Sequence, residues 1–203
     1  TYVINRKELL EIMKKAHKIS AFYDLKDILG YLCDEKQIHT YEYKGYARFE
    51  SIQNNFSLLN PRFHDELANV CRLENISLLP YSPMAGGVLS GKYCAGFYPE
   101  GSRFETYLKE SSKRVQAMAH RFVNERTLEA TKKYLELAKE YEVSPVTLAI
   151  SYSKHFDFVA STIVGARKIE QLDDSLKAFD FKISNELLKR IEIIQKDILY
   201  PMG

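Results

Sequence analysis

The chain of 203 residues carries 29 lysines and arginines against 27 aspartates and glutamates, a formal net charge of +2, with the two signs interleaved rather than gathered. That balance gives no support to nucleic acid or a membrane surface as a partner, since both call for a concentrated basic face. The length allows one substantial core, although a single α/β barrel usually takes about 250 residues.

Three cysteines, Cys33, Cys71 and Cys94, are an odd number, far apart, with no CxxC or CxxH spacing. Neither a disulfide framework nor a zinc site is suggested, no other metal is expected, and a reducing cytoplasm is the natural compartment. The stretch TYVINRKELLEIMKK has charges among its apolar positions and does not read as a signal peptide. No run approaches the roughly 18 apolar residues of a membrane span.

In chain order, two helices are expected first, Arg6 to Lys18 and Leu25 to about Asp34, joined abruptly at Lys18-Ile19-Ser20-Ala21. SIQNNF, from Ser51, is a short strand candidate. Asn60-Pro61 then supplies an N-cap and a proline at the first helical position, opening a helix through about Arg72. Ile76 to Leu79 make the next strand, which breaks into Pro80-Tyr81-Ser82-Pro83 and a loop with glycines at 86, 87 and 91 that ends on Lys92. Cys94 to about Glu110 is a polar stretch with few apolar anchors, followed by helical pattern, and residues 94 to 124 form the longest and least patterned loop. Leu128, Thr131, Leu135 and Ala138 recur at spacings of three and four, one face of an amphipathic helix, and Ser144-Pro145 starts another.

Phe158 to Val164 is a continuous apolar and β-branched run stopped by Gly165, the pattern of a strand buried on both faces. A helix from Ile169 to Leu176 follows. Ser184 can cap a last helix in which Leu187, Leu188, Ile191, Ile194 and Ile198 form the packing stripe. Strands alternating with helices argue an α/β fold with parallel strands, which puts its ligands at the C-terminal strand ends.

Three strand ends therefore invite comparison: Gln53-Asn54-Asn55, Tyr81-Ser82-Pro83 and Gly165-Ala166-Arg167. Amides and hydroxyls at any one strand end often only satisfy local backbone groups, but three in succession favour a ligand. The third suits phosphate: the glycine admits a close approach, Arg167 is a bidentate donor, and the helix beginning near Ile169 directs free amides to the same place. Lys92 and Arg103, bracketing the polar loop, offer further charge for a diphosphate.

SIQNNFSLLN, LLPYSPMAGGVLSGKY and STIVGARKIEQLDDSLKAFDFKIS, in this order and at these separations, resemble the C-terminal half of the aldo-keto reductases, in the branch of the Tas-like reductases and potassium-channel β-subunits. The resemblance covers roughly residues 46 to 203. It implies a single (β/α)8 TIM-barrel domain over residues 1–203, with strands six to eight and their helices in 46–203 and a divergent or incomplete N-terminal part in 1–45. It also implies NADP(H) held in extended form without a GxGxxG loop, which is indeed missing from the sequence.

By that resemblance Gln53 would bond the nicotinamide carboxamide and Tyr81 would stack on the ring. Ser82, Pro83, Met84 and the Gly86-Gly87 region would line the diphosphate, with Lys92 and Arg103 closing over it. Gly165, Arg167 and Gln171 would hold the 2′-phosphate and ribose, and Asp174 and Ser175, which depart from the family's usual Glu-Asn pair, would face the adenine. In the family a Tyr, helped by a Lys, a His and an Asp, protonates the carbonyl oxygen during hydride transfer, and all four belong to the first half of the barrel. No catalytic residue is assigned: Gln37-Ile38-His39 matches a family triplet but lies too close to SIQNNF to occupy the same place, and Tyr23, Lys26 and Asp27 receive no role.

Too few residues precede the match for the missing strands. Either the barrel is truncated or divergent, or the sequence joins segments that are separated in the natural protein, and the second is favoured because a half barrel would expose edge strands and apolar faces. Two readings follow. One is an NADPH-dependent reductase of a small-molecule aldehyde or ketone; the other is a silent NADPH-binding regulatory subunit of the channel-β type. Homo-oligomerisation is compatible with either.

Overall fold

The computed structural model describes residues 49–166 and 169–202. The two expected N-terminal helices, the Gln37-Ile38-His39 triplet and Arg167 lie outside them. The chain divides into two units, Thr1–Glu50 and Ser51–Gly203, and the elements below belong to the second.

They are, in order, β1 (Ser51–Asn55), α1 (Arg62–Glu74), β2 (Ser77–Tyr81), a 3-10 turn (Ala85–Ser90), α2 (Arg103–Lys109), α3 (Lys113–Phe122), α4 (Glu125–Glu140), α5 (Pro145–Lys154), α6 (Glu170–Asp180) and α7 (Asn185–Asp197). β1 and β2 pair in parallel, in a register that runs from Ser51 opposite Ser77 to Asn55 opposite Tyr81. Both strands therefore end at the same level, so Asn55 and Tyr81 emerge side by side.

The expected strand over 158–164 is not formed, and the segment is not buried on both faces. Only Val159 bridges to Leu78, and Ile163 and Val164 are 42% and 45% exposed. The cause is Pro80. Leu78 N–H donates to Phe158 O at 2.7 Å and Ala160 N–H to Leu78 O at 3.0 Å, so the next rung would need an N–H from Pro80, which has none. The following bond reaches Pro80 O from Ile163 at 2.8 Å, where a regular parallel ladder would use residue 162. The segment lies along β2 out of step and forms no regular strand.

Several helix starts follow the sequence. The Ser144 hydroxyl accepts from Val146 N–H at 3.2 Å and the Ser184 hydroxyl from Leu187 N–H at 3.1 Å. Asn60 does not cap α1: its side-chain amide donates to Asn55 Oδ1 at 3.2 Å, and Pro61 takes the cap position with no side-chain bond. The start of α4 is a capping box of Asn124 and Thr127, each accepting from the other's backbone N–H at 3.0 Å. On α4, Thr131 and Ala138 are buried as expected, but the full stripe also takes in Thr127, Ala130, Tyr134 and Leu137. The stretch 94–124 is no loop, since it holds α2 and α3. Its anchor is the 1% exposed Phe104, whose ring centroid lies 5.5 Å from that of Tyr93 and 5.1 Å from that of Phe122. One aromatic organises two helices there, and it leaves no periodic pattern in the sequence.

The core gathers Phe56, Leu58, Leu59, Leu78, Leu148, Leu187 and Ile191, all at most 1% exposed. α4 packs on α5, α7 and the 3-10 turn, α2 on α3, and α5 on α6. α6 runs to Asp180 rather than Leu176 and leaves Ile169, Leu176 and Phe179 at 80%, 66% and 82% exposure.

Candidate nucleotide-binding cleft

Beyond Tyr81 the chain turns sharply. Ser82 and Ala85 adopt left-handed backbone conformations, φ 55° and 48°, and the Ala85 N–H donates to Ser82 O at 2.8 Å. Side-chain-bearing residues in that region cost about 1–2 kcal/mol each, and such strain tends to gather at functional sites. Gly86 and Gly87 continue at φ 66° and 95°.

The turn faces a cleft of about 260 Å³. Asn54, Asn55 and Asn60 reach it from the end of β1 and the start of α1. Tyr81 and Ser82 reach it from the end of β2, Arg103, Phe104 and Tyr107 from α2, and Met118, Arg121 and Phe122 from α3. Among the described residues the lining has two guanidinium groups, three amides and no carboxylate. Tyr81 is 39% exposed, a large aromatic face open at a strand end.

The cleft thus brings together Tyr81, Ser82 and Arg103 of the residues expected from sequence. Gln53 is exposed on β1, opposite Leu79, and does not line it. Pro83 is buried and Met84 half-buried ahead of the 3-10 turn. Lys92 folds back over the glycines: its Nζ stands 2.9 Å from the place a Cβ on Gly87 would take and 5.1 Å from the Tyr93 ring centroid. Gly86 lies beneath the Phe104 ring. Tyr93 and Ser102, next in sequence to Lys92 and Arg103, bury hydroxyls that have no hydrogen-bond partner among the described residues.

Gly165 and Ala166 of the third strand end are not among the described residues that line the cleft. Gly165 is exposed, and a Cβ added to it would meet nothing within 4 Å; Gln171 is exposed at the start of α6. The Asp174 carboxylate is engaged at both oxygens, by the Ser144 hydroxyl at 2.7 Å and Lys177 Nζ at 3.0 Å. The Ser144 hydrogen bond, and then Lys177, holds it below the usual carboxylate range. Ser175 Oγ donates to Gln171 O at 3.0 Å within its own helix.

Sequence reasoning missed Asn60, Phe104, Tyr107, Met118, Arg121 and Phe122. Asn54 and Asn55 were within a stretch already singled out; the α2 and α3 residues had no signal, because only packing around Phe104 turns them to the cleft. Burial pushes the thiols of Cys71 and Cys94 up, so neither is a ready thiolate. Among the described residues no three His, Cys, Asp or Glu side chains gather as a metal site, and no helix is long and apolar enough to cross a membrane.

Residues 33–196 match the profile of the Aldo/keto reductase family. The chain belongs to that family. The match starts ahead of residue 46 and takes in Gln37-Ile38-His39. The protein Tas of Escherichia coli (strain K12) is 30% identical over 166 residues, covering 82% of this chain and 45% of Tas. A protein of Schizosaccharomyces pombe named as a voltage-gated potassium channel subunit beta is 29% identical over 139 residues, covering 68% of this chain and 39% of its own. These relatives put the chain in the branch its motifs resemble. It spans less than half the length of either. The fold is similar to that of the glycerol dehydrogenase of Gluconobacter oxydans, with a TM-score of 0.59 at 17% identity over 85% of this chain and 54% of that one.

Proposed function

We propose that the protein is an NADPH-dependent oxidoreductase that reduces a small-molecule aldehyde or ketone to an alcohol in the cytoplasm, and that residues 46–203 form the C-terminal part of a closed (β/α)8 barrel. The observation that carries this reading is the convergence of Tyr81, Ser82 and Arg103 on one cleft at the ends of two parallel strands, within the segment that matches the family.

The cleft chemistry suits a nicotinamide nucleotide. Tyr81 offers a flat face to a flat ring, Ser82 a hydroxyl, and Arg103 a planar donor to a phosphate, with no carboxylate among the described lining residues to repel one. Lys92, poised over Gly87, adds a cation beside the same turn. When bound, NADPH would supply the hydride. The proton for the carbonyl oxygen calls for a phenol tuned by a nearby cation, since an ordinary tyrosine with a pKa of about 10 is a reluctant acid at neutral pH. That role goes to the family's Asp, Tyr, Lys and His, outside the described residues.

The test uses the protein encoded by the complete reading frame. Nicotinamide fluorescence on titration should report NADPH binding, Tyr81→Ala should weaken it roughly tenfold through lost stacking, and a panel of aldehydes should drive NADPH oxidation. Arg167→Ala should weaken NADPH binding more than NADH binding if that side chain reads the 2′-phosphate. The channel-β relatives favour a second reading, a regulatory subunit that binds NADPH without turnover. Binding without oxidation across the panel would support it, and failure to bind either nucleotide would reject both.

A further inference from the structure

Arg121 sits in the last turn of α3, where sequence spacing gives it no distinction from neighbouring basic residues. The tertiary structure does. It borders the cleft with Tyr81, Ser82 and Arg103, and its Nε donates to the carbonyl oxygen of Met202 at 3.3 Å. Met202 is 3% exposed, so this acceptor is fixed rather than frayed. Two carbonyls of the preceding residues are held as well, Pro201 O by Asn124 Nδ2 at 3.4 Å and Leu199 O by an Arg126 Nη at 2.7 Å. Between them the Tyr200 hydroxyl donates to Asp65 Oδ2 at 2.7 Å, tying the same segment to α1.

A guanidinium carries five N–H donors, and the bond to Met202 uses one. The donors on the two Nη atoms have no hydrogen-bond partner among the described residues. Among the described residues neither Arg103 nor Arg121 forms an ion pair. Two uncompensated cations on one cleft repel each other, and an anion between them turns that repulsion into attraction. A planar, oriented guanidinium is suited to two oxygens of a phosphoryl group in particular.

We propose that Arg121 is a phosphoryl-binding residue of the cleft, acting with Arg103 and held in position by the C-terminal segment Leu199–Met202. The phosphoryl group could come from the cofactor diphosphate or from a phosphorylated aldehyde. The first source rests on the function proposed above; the recognition chemistry is common to both.

The experiment measures dissociation constants of the full-length protein and of its Arg121→Gln and Arg121→Lys variants for NADPH, inorganic phosphate and glyceraldehyde 3-phosphate. Circular dichroism and the thermal midpoint report folding. Arg121→Gln should raise the constant for at least one organic ligand and for phosphate by roughly tenfold or more, the effect of losing charge-assisted hydrogen bonds. Arg121→Lys keeps the charge but loses the fork and the tether, and should fall between the two. An effect on NADPH alone identifies the cofactor as the source; an effect on the phosphorylated aldehyde alone identifies the substrate.

A folded Arg121→Gln protein with unchanged constants for all three ligands overturns the proposal. If that variant does not fold, Arg121→Lys decides, and wild-type affinity there overturns it. The two readings separate cleanly. Arg121-dependent phosphate binding without NADPH binding leaves this inference standing and rejects the nucleotide function; NADPH binding with all three constants indifferent to Arg121 does the reverse. A wild-type protein that binds none of the three ligands rejects both.

Discussion

The ring of Phe104 fills the space that Gly86 leaves by having no side chain: a Cβ there would stand 2.5 Å from Phe104 Cζ. The contact joins the 3-10 turn to α2 and so sets one wall of the cleft. Gly86→Ala should therefore combine overpacking with a left-handed backbone at φ 66° and cost about 2–4 kcal/mol. Gly96→Ala, at φ 82° with nothing within 4 Å, meets only the backbone term, about 1–2 kcal/mol. Denaturant titration of both variants checks this, and equal losses would show that the Phe104 contact carries no weight.

The slipped ladder beside β2 predicts an uneven pattern of amide hydrogen exchange. The amides of Leu78, Ala160 and Ile163 donate to backbone oxygens and should be protected. Those of Ser161 and Val164, on an exposed stretch without a regular ladder, should exchange faster. Uniform protection from 159 to 164 would mean that a continuous third strand forms despite Pro80.

The bond between Ser144 and Asp174 predicts a pH dependence. The carboxyl is held below its ordinary value by the Ser144 hydroxyl and Lys177. Its contribution is complete above the unfolded-state value of about 4 and is lost as pH falls through the lower folded value. Stability measured against pH should thus decline less steeply on the acid side for Asp174→Asn than for the natural protein. Ser144→Ala loses this bond and the cap on Val146, a change of about 1 kcal/mol at neutral pH. Parallel acid profiles for natural and Asp174→Asn protein would remove the carboxyl from the account.

Two buried phenols govern the alkaline side. Burial pushes the hydroxyls of Tyr134 and Tyr152 well above the usual tyrosine range. Tyr134 donates to Leu58 O at 3.2 Å, and Tyr152 accepts from Gln195 Nε2 at 3.0 Å. Since the unfolded chain ionises both at about pH 10, stability is full below that value and falls as pH rises beyond it. Ultraviolet titration should find these two rings ionising only with unfolding. A reversible ionisation of either in the folded protein would contradict their burial.

The local chemistry of the chain was legible before any folding was considered. Ser144 and Ser184 cap their helices because a hydroxyl one residue ahead of a helix has few better uses. The motifs around Asn54, Tyr81 and Gly165 sufficed to identify the family, because each combines a strand end with residue types whose backbone and side-chain demands are local. The glycines were legible as glycines, though the aromatic ring that packs against Gly86 was not.

Other features depended on partners far away in the chain. The run from Phe158 to Val164 has every local mark of a buried strand, but whether it pairs is decided by the residue opposite, and Pro80 lacks the N–H for the next rung. The partner that the Asp174 carboxylate finds in Ser144, thirty residues earlier, is likewise set by the fold. Arg121 carried no signal in its own helix; the Met202 carbonyl orients it and the cleft gives it a use. Sequence alone determined which residues could bind, cap and turn, because those properties belong to single side chains and short spans. Only the tertiary structure decided which of them meet, because a hydrogen bond or a shared cleft is a property of two distant segments at once.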